Sequence, residues 1–287
     1  VSDLAIIVMA NERYFSQAKS LFTACVRQGN WKGDLCLLTA EEQDAAEFSS
    51  RGIRVMSASD KVWTLFTKFH VFSDYFKQWK QVLYLDCDVL IQRDLNELFQ
   101  GLGRLPRSLY FDGSHDASIL ADCKHFDDKY GSGYDSHPER YTELREQFPH
   151  IDKLTLSADV IFFRPEDVPL DTVAALQNIG EQYLDLNPGR TDQQVMNFLL
   201  YDEMSPLTKD YCTWWAFDDP GNRVACEARG WRGDEFPYVV HYWDMYAPWL
   251  VKTPDADAYA NDRLGRVCHE LYAENLSLFE STFPLRP

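Results

Sequence analysis

Over the first ninety positions, short unbroken apolar runs alternate with stretches in which apolar residues recur at helical spacing. Leu4 to Met9 is almost wholly apolar and gives way to Ala10-Asn11-Glu12, the pattern of a buried strand that ends in a polar turn. Ala18, Leu21, Phe22 and Cys25 follow one face of a 3.6-residue repeat and predict a helix from about Tyr14 to Gln28. Leu35 to Leu38 predicts a second strand, Glu41 to Ser50 a second helix and Ile53 to Met56 a third strand. Phe66, Phe69, Phe72 and Phe76 predict an amphipathic helix, and Val82 to Leu85 a fourth strand that leads straight into Asp86-Cys87-Asp88.

Strands alternating with helices imply right-handed crossovers and a mostly parallel, Rossmann-like α/β sheet flanked by helices. Ligands of such sheets bind beyond the carboxyl ends of the strands. Asn11 and Asp86 both stand at such ends, which places them on one rim. The pattern changes from about Ser114 to His150, where aspartates, glycines and tyrosines occur with little periodicity; this reads as an inserted loop region or lid. Leu156 to Phe163 returns to strand. Thr172 to Leu184 and Asp192 to Leu200 read as helices, the second with Thr191 as its N-cap. Asp210 to Trp249 is rich in aromatics, and Arg263 to Leu278 reads as a terminal helix.

Composition narrows the picture. The 287 residues are 45% hydrophobic and 25% charged, an ordinary globular mix with no disordered tract, repeat or evident linker, so one domain over 1–287 is expected. The net charge of −17 argues against nucleic acid or an anionic membrane surface as a partner. It also means that an anionic substrate needs a local cation. Seven scattered cysteines without a C-x-x-C pair fit reduced thiols and a cytoplasmic protein. No apolar run reaches the roughly 18 residues that span a bilayer, and no secretory leader is visible. The first residue is Val1 rather than Met, which leaves room for a removed N-terminal anchor. There is no G-x-x-x-x-G-K-[ST], no G-x-G-x-x-G after the first strand, no G-x-S-x-G and no H-E-x-x-H, so P-loop, dinucleotide, serine-hydrolase and zincin readings lack support.

The sharpest chemical feature is Leu83-Tyr84-Leu85-Asp86-Cys87-Asp88-Val89-Leu90. Two carboxylates one residue apart at the end of a buried strand can converge on one hard cation. Mg²⁺ and Mn²⁺ prefer oxygen ligands and often share their shell with substrate phosphates. Sugar transfer from a nucleotide needs such a cation, because the departing diphosphate gains negative charge. A D-x-D in an acidic chain is usually a solvated turn. The apolar flanks on both sides argue against that here.

From this motif outward the chain resembles the retaining glycosyltransferases of family 8. Val8-Met9-Ala10-Asn11-Glu12-Arg13-Tyr14 resembles the family's uridine-binding segment, and Lys68 is similar in spacing to a basic residue near the donor. Tyr84-Leu85-Asp86-Cys87-Asp88 resembles its metal motif. Leu156-Ser157-Ala158-Asp159 lies where the family has an Asn-Ala-Gly strand facing the sugar, and Asp192-Gln193 is similar to its Asp-Gln pair. The segment from His241 to Trp249 resembles its terminal H-x-x-G-x-x-K-P-W motif.

The resemblance implies a GT-A-type fold and a UDP-sugar donor, with a carbohydrate or other hydroxyl acceptor. It further implies Mn²⁺ or Mg²⁺ on Asp86, Asp88 and His241, and transfer with retention. Ala10, Asn11, Tyr14 and Lys68 would then bind the donor, while Asp159, Asp192 and Gln193 would face the reaction centre. Residues 1–113 would form the nucleotide-binding part and 114–287 the acceptor-binding and C-terminal part. Three departures stand out: Asp159 and Asp244 where glycine is usual, and Ala247 where a diphosphate-binding lysine is usual. Lys252, Arg223, Arg229 and Arg232 are candidate replacements for that lysine. Trp214, Trp215, Trp231 and Trp243 are candidate acceptor platforms, with packing as the plainer role. Read without the resemblance, Tyr14 and Asn11 serve equally as a packed helix start and a turn closure, and His241 as a core histidine. An inverting reaction would make Asp159 the candidate base. The alternatives to a transferase are a nucleotide-sugar hydrolase, a nucleotidyltransferase, and a non-catalytic UDP-sugar- or carbohydrate-binding protein.

Overall fold

The computed structural model describes residues 2–40, 45–58, 64–121, 123, 138–183, 191–208, 211–215, 238–242 and 263–286. Its strands are β1 (Leu4–Met9), β2 (Asp34–Thr39), β3 (Arg54–Ser57), β4 (Gln81–Leu85), β5 (Val89–Ile91), β6 (Leu109–Ser118), β7 (Leu154–Phe163), β8 (Met204–Pro206), β9 (Cys212–Trp215) and β10 (Val239–Tyr242). Seven of them form one sheet in the order β3-β2-β1-β4-β7-β6-β8, and β5, β10 and β9 form a second, small one. In the large sheet β1, β2, β3 and β4 run parallel, β7 is antiparallel to both its neighbours, and β6 and β8 are parallel. The mostly parallel α/β sheet expected from the sequence is therefore present.

The continuous apolar runs of β1, β2 and β4 follow from their place at the centre of the sheet, where both faces are covered. Ile6 and Val8 face one core with α1 (Phe15–Arg27), α3 (Leu95–Leu102) and the terminal helix α7 (Arg263–Thr282). Ala5 and Ile7 face a second core with α5 (Thr172–Gln182), α6 (Thr191–Leu200) and the phenylalanines at 66, 69, 72 and 76. α2 (Ala46–Ser50) is the described part of the second predicted helix; residues 41–44 of that prediction lie outside the described residues. Among the described residues, no helix is long and apolar enough to cross a membrane.

Two expectations need correction. The segment predicted as one amphipathic helix over Phe66–Phe76 is a pair of 3₁₀ stretches, Thr64–Phe72 and Asp74–Gln78. Its aromatics recur every three residues through Phe72, a spacing that aligns on the three-residue turn of a 3₁₀ helix. The region from Ser114 to His150 is not a loop throughout, and its residues 122 and 124–137 lie outside the described residues. β6 continues through Ser118, α4 spans Pro138–Gln147, and Tyr141, Leu144, Phe148 and Ile151 pack with Ile119, Leu120, Tyr183 and Phe198 in a third apolar cluster. The strand was hidden because its second half carries Asp112, Ser114 and Asp116 in place of apolar residues.

Candidate functional site

The strand order reverses beside β1: β2 and β3 lie on one side of it and β4 on the other. Such a reversal opens a crevice beyond the carboxyl ends of the two diverging strands. Ala10 and Asn11 follow β1 there, and Asp86 follows β4, in register through the Val8–Leu85 pair. Cys87 Sγ donates to the Met9 carbonyl at 3.1 Å and ties the two turns together. The Asp86-Cys87-Asp88 turn is also where the chain leaves the large sheet for the small one, since β5 begins at Val89 and pairs with β10.

Strand register assembles the rest of the site. β7 lies beside β4 with Leu85 opposite Val160, and the Asp86 amide donates to the Asp159 carbonyl at 2.8 Å. β10 lies beside β5 with His241 opposite Val89, next to Asp88. Along β6 and β7 the register jumps from Phe111–Ile161 to Asp112–Ser157, so residues 158–160 bulge relative to β6. Bulges of this kind re-aim side chains. Asp86 and Asp88 on their turn are thus brought together with Asp112, Asp159 and His241 from three strands, β6, β7 and β10.

Lys68, on the 3₁₀ stretch, is 4% exposed, and its ammonium lies 2.8 Å from Asp86 Oδ2 and 2.8 Å from Asp192 Oδ2, at the start of α6. Burial disfavours this charge, but Asp192 and Asp86 outweigh it and hold the Lys68 pKa well above its ordinary value. Asp86 also accepts the Tyr84 hydroxyl on Oδ1. Burial pushes Asp86 well above the usual carboxylate range; Lys68 opposes the shift, while Asp159 and Asp88 add to it. Asp159 goes the other way. Burial alone would raise it, yet His241 and Lys68 hold it below the usual range, and Ser157 Oγ donates to its Oδ2. The two carboxyls are thus pushed in opposite directions, the protonated form favoured on Asp86 and the ionised form on Asp159.

His241 is 3% exposed and lies between two carboxylates. Nε2 is 3.2 Å from Asp88 Oδ1, and Nδ1 is 3.3 Å from Asp159 Oδ2. Both contacts are within ion-pair range. Burial works against the imidazolium, but Asp159 and Asp88 raise its pKa to about 10. Asp112, 1% exposed, offers an oxygen within 4.8 Å of the ligand atoms of Asp159 and His241. Five carboxylates thus face one lysine and one histidine among the described residues. This carboxylate-and-imidazole donor set is short of positive charge, and its chemistry fits a hard divalent cation, Mn²⁺ better than Mg²⁺ because of the nitrogen.

Other expected residues fall on the same rim. Ala10 is buried, with its amide on the Leu38 carbonyl at 3.1 Å. Asn11 closes the turn through Oδ1, which accepts from the Arg13 amide at 3.1 Å. Tyr14 is 47% exposed at the start of α1, not packed on the sheet. Gln193 Oε1 accepts from the Ala158 amide at 3.4 Å, which anchors the bulge beside Asp159. Trp214 and Trp215 lie on β9, but their side chains are not among those described; Trp231, Trp243, Asp244, Ala247, Lys252, Arg223, Arg229 and Arg232 lie outside the described residues. Sequence reasoning missed Tyr84 and Asp112. Asp112 carried a usable signal, because Leu109-Tyr110-Phe111-Asp112 repeats the apolar-run-then-aspartate pattern of Leu83-Tyr84-Leu85-Asp86. Tyr84 stood inside the segment that resembles the metal motif, but nothing in the sequence marked its hydroxyl as a partner of Asp86.

Fold and rim together define a GT-A-type α/β protein. Within it, residues 36–101, from β2 through the Asp86-Cys87-Asp88 turn to α3, match the family model Glycosyl transferase family 8, so the resemblance read from motifs holds over that segment. The galactosyltransferase LgtC, solved in complex with donor and acceptor sugar analogs, superposes with a TM-score of 0.57 at 16% identity, covering 99% of this chain and 97% of that one. The glycosyltransferase GlyE of Streptococcus pneumoniae TIGR4 gives a TM-score of 0.59 at 17% identity, covering 100% of this chain and 66% of GlyE. No curated protein matches the sequence significantly.

Proposed function

We propose that the chain is a metal-dependent glycosyltransferase that moves a hexose or related sugar from a UDP-sugar to a hydroxyl group of a carbohydrate or glycoconjugate, with retention of anomeric configuration. The observation that carries this reading is the Asp86-Cys87-Asp88 turn at the reversal of strand order, with the buried His241 imidazole 3.2 Å from Asp88. Asp86, Asp88 and His241 would hold Mn²⁺ or Mg²⁺, and the ion would offset the charge that develops on a departing diphosphate, an effect of several kcal/mol in general.

The protein's own groups do the rest of the positioning. Ala10 and Asn11 border the crevice where the uridine belongs, and the exposed Tyr14 ring offers a stacking face for a flat base. Lys68 fixes Asp86 and Asp192 relative to each other, so the metal turn and the start of α6 cannot drift apart. Asp192 and Gln193 then face the donor sugar, next to the Asp159 bulge. Asp159 is engaged by Ser157 and His241, an arrangement that suits support of the site better than service as an acceptor's base. Residues 1–113 are read as the nucleotide-binding part and 114–287 as the part that receives the acceptor.

The test is incubation of the full chain with a panel of UDP-sugars, Mn²⁺ and oligosaccharide acceptors, with proton NMR of the first-formed product. Transfer with the donor's anomeric configuration is the expected result. An inverted anomer defeats the retaining assignment, and UDP release that ignores acceptor defeats the transferase in favour of a hydrolase. Saturable binding without turnover leaves a binding protein.

A further inference from the structure

The two ring nitrogens of His241 are not equivalent in their surroundings. Nε2 faces Asp88, whose side chain is 34% exposed. Nδ1 faces Asp159, whose side chain is 16% exposed, and Asp112, 1% exposed, has an oxygen within 4.8 Å of the ligand atoms of both. Of the two carboxylates, Asp88 is the more exposed and so the more accessible to an incoming diphosphate. An imidazole that ligates a metal does so through one nitrogen, while a carboxylate on the other N–H fixes its tautomer and plane.

Asp159 is itself held firmly. Its Oδ2 accepts the Ser157 hydroxyl, its carbonyl accepts the Asp86 amide at 2.8 Å, and the adjoining Val160 is registered against Leu85 of β4. The bulge between Ser157 and Ile161 turns this side chain toward β10 and His241. We propose that Asp159 is a positioning residue of the metal centre, which holds the Nδ1–H of His241 and thereby presents Nε2 to an ion shared with Asp88. This inference rests on the metal site of the proposed function. The competing geometry puts the ion on the inner side, among Asp112, Asp159 and Nδ1, whose ligand atoms lie within 4.8 Å of one another.

Two measurements on the full chain test it, with the metal ion alone as probe. The first is calorimetric titration of wild type and Asp159→Asn with Mn²⁺, accompanied by thermal melts. Loss of an outer carboxylate partner weakens metal affinity by about 10- to 100-fold, while an unchanged fold keeps the melting midpoint of the metal-free variant close to wild type. The second is long-range nitrogen–proton NMR of ¹⁵N-histidine-labelled protein bound to ¹¹³Cd²⁺, with His241→Gln to assign the signals. Cadmium coupling at His241 Nε2, with Nδ1 protonated, is the expected signature, and it does not depend on how well Asp159→Asn folds. Coupling at Nδ1, or an Asp159→Asn affinity within twofold of wild type, overturns the proposal while leaving the metal reading intact. A wild-type chain that binds neither ion removes the metal site and this inference together.

Discussion

Replacing Lys68 by methionine probes the electrostatics of the whole site. The ammonium is 4% exposed, 2.8 Å from both Asp86 and Asp192, and 5.3 Å from the centre of the Tyr84 ring. Methionine matches the length of the stem and its apolar packing, so the change isolates the charge. Removing one partner of a buried ion pair costs about 3–5 kcal/mol, because the other charge stays behind. Here the lower end is expected, since Asp86 has a way out: its pKa is already well raised and it can take up a proton. At roughly 2–4 °C per kcal/mol for a chain of this size, the metal-free variant should melt about 6–12 °C below wild type at neutral pH. Without Lys68 the folded-state pKa of Asp86 rises further above its unfolded value, so the folded protein binds a proton that the unfolded chain does not. Stability of the variant therefore falls as pH rises above the ordinary aspartate range, and the deficit narrows on acidification. Thermal melts of both proteins from pH 5 to pH 8 read this directly. A Lys68→Met protein as stable as wild type at neutral pH, or with a deficit that ignores pH, would refute the reasoning.

Other outcomes follow from the same contacts. Asp88→Ala should abolish Mn²⁺-dependent turnover, and normal activity with an unchanged metal requirement would remove Asp88 from the centre. His241, with its pKa raised from 6.5 to about 10, contributes stability to the metal-free protein that is complete below pH 6.5 and lost as pH climbs toward 10. Denaturant titrations should show this slope, and saturating Mn²⁺ should flatten it. A stability that rises across that window contradicts the Asp88–His241–Asp159 geometry. Asn197 is fully buried and holds β7 by two bonds, from the Leu156 amide at 2.9 Å and to the Leu156 carbonyl at 2.8 Å, and also donates to the Gln193 carbonyl of its own helix at 2.8 Å. Asn197→Leu should cost roughly 2–4 kcal/mol in a denaturant titration, because the Leu156 groups lose their partners out of reach of water. A Cβ on Gly180 would stand 2.4 Å from the Phe66 ring, so Gly180→Ala should lower the melting temperature by overpacking α5 on the 3₁₀ stretch, at about 1–3 kcal/mol. An unshifted melt would mean that Phe66 gives way freely.

The parts of this molecule legible in its sequence are those in which one local signal sufficed. The runs at Leu4, Leu35 and Val82 announce central parallel strands because both faces of those strands are buried, and an aspartate pair directly after such a run has few structural reasons to be there. What sequence could not display was register. That Asp159 stands beside Asp86, and His241 beside Asp88, depends on the β4–β7 and β5–β10 pairings between residues distant along the chain. The antiparallel β7 also breaks the βαβ alternation read from the first half. The Phe66–Phe76 segment was misread because a three-residue aromatic spacing satisfies an α-helical face almost as well as a 3₁₀ one. Lys68 was found only as a basic residue near the donor, whereas in the structure it links Asp86 to Asp192 across the 3₁₀ stretch, β4 and α6.

The most direct examination of the central claim is calorimetric titration of the full chain with UDP, with and without Mn²⁺, for wild type and Asp88→Ala. If a cation shared by the rim carboxylates and His241 receives the diphosphate, wild type binds UDP at least tenfold more tightly with Mn²⁺ present, and the substitution erases that gain. Equal UDP affinity with and without the ion, in a wild-type protein that binds the nucleotide, would contradict it.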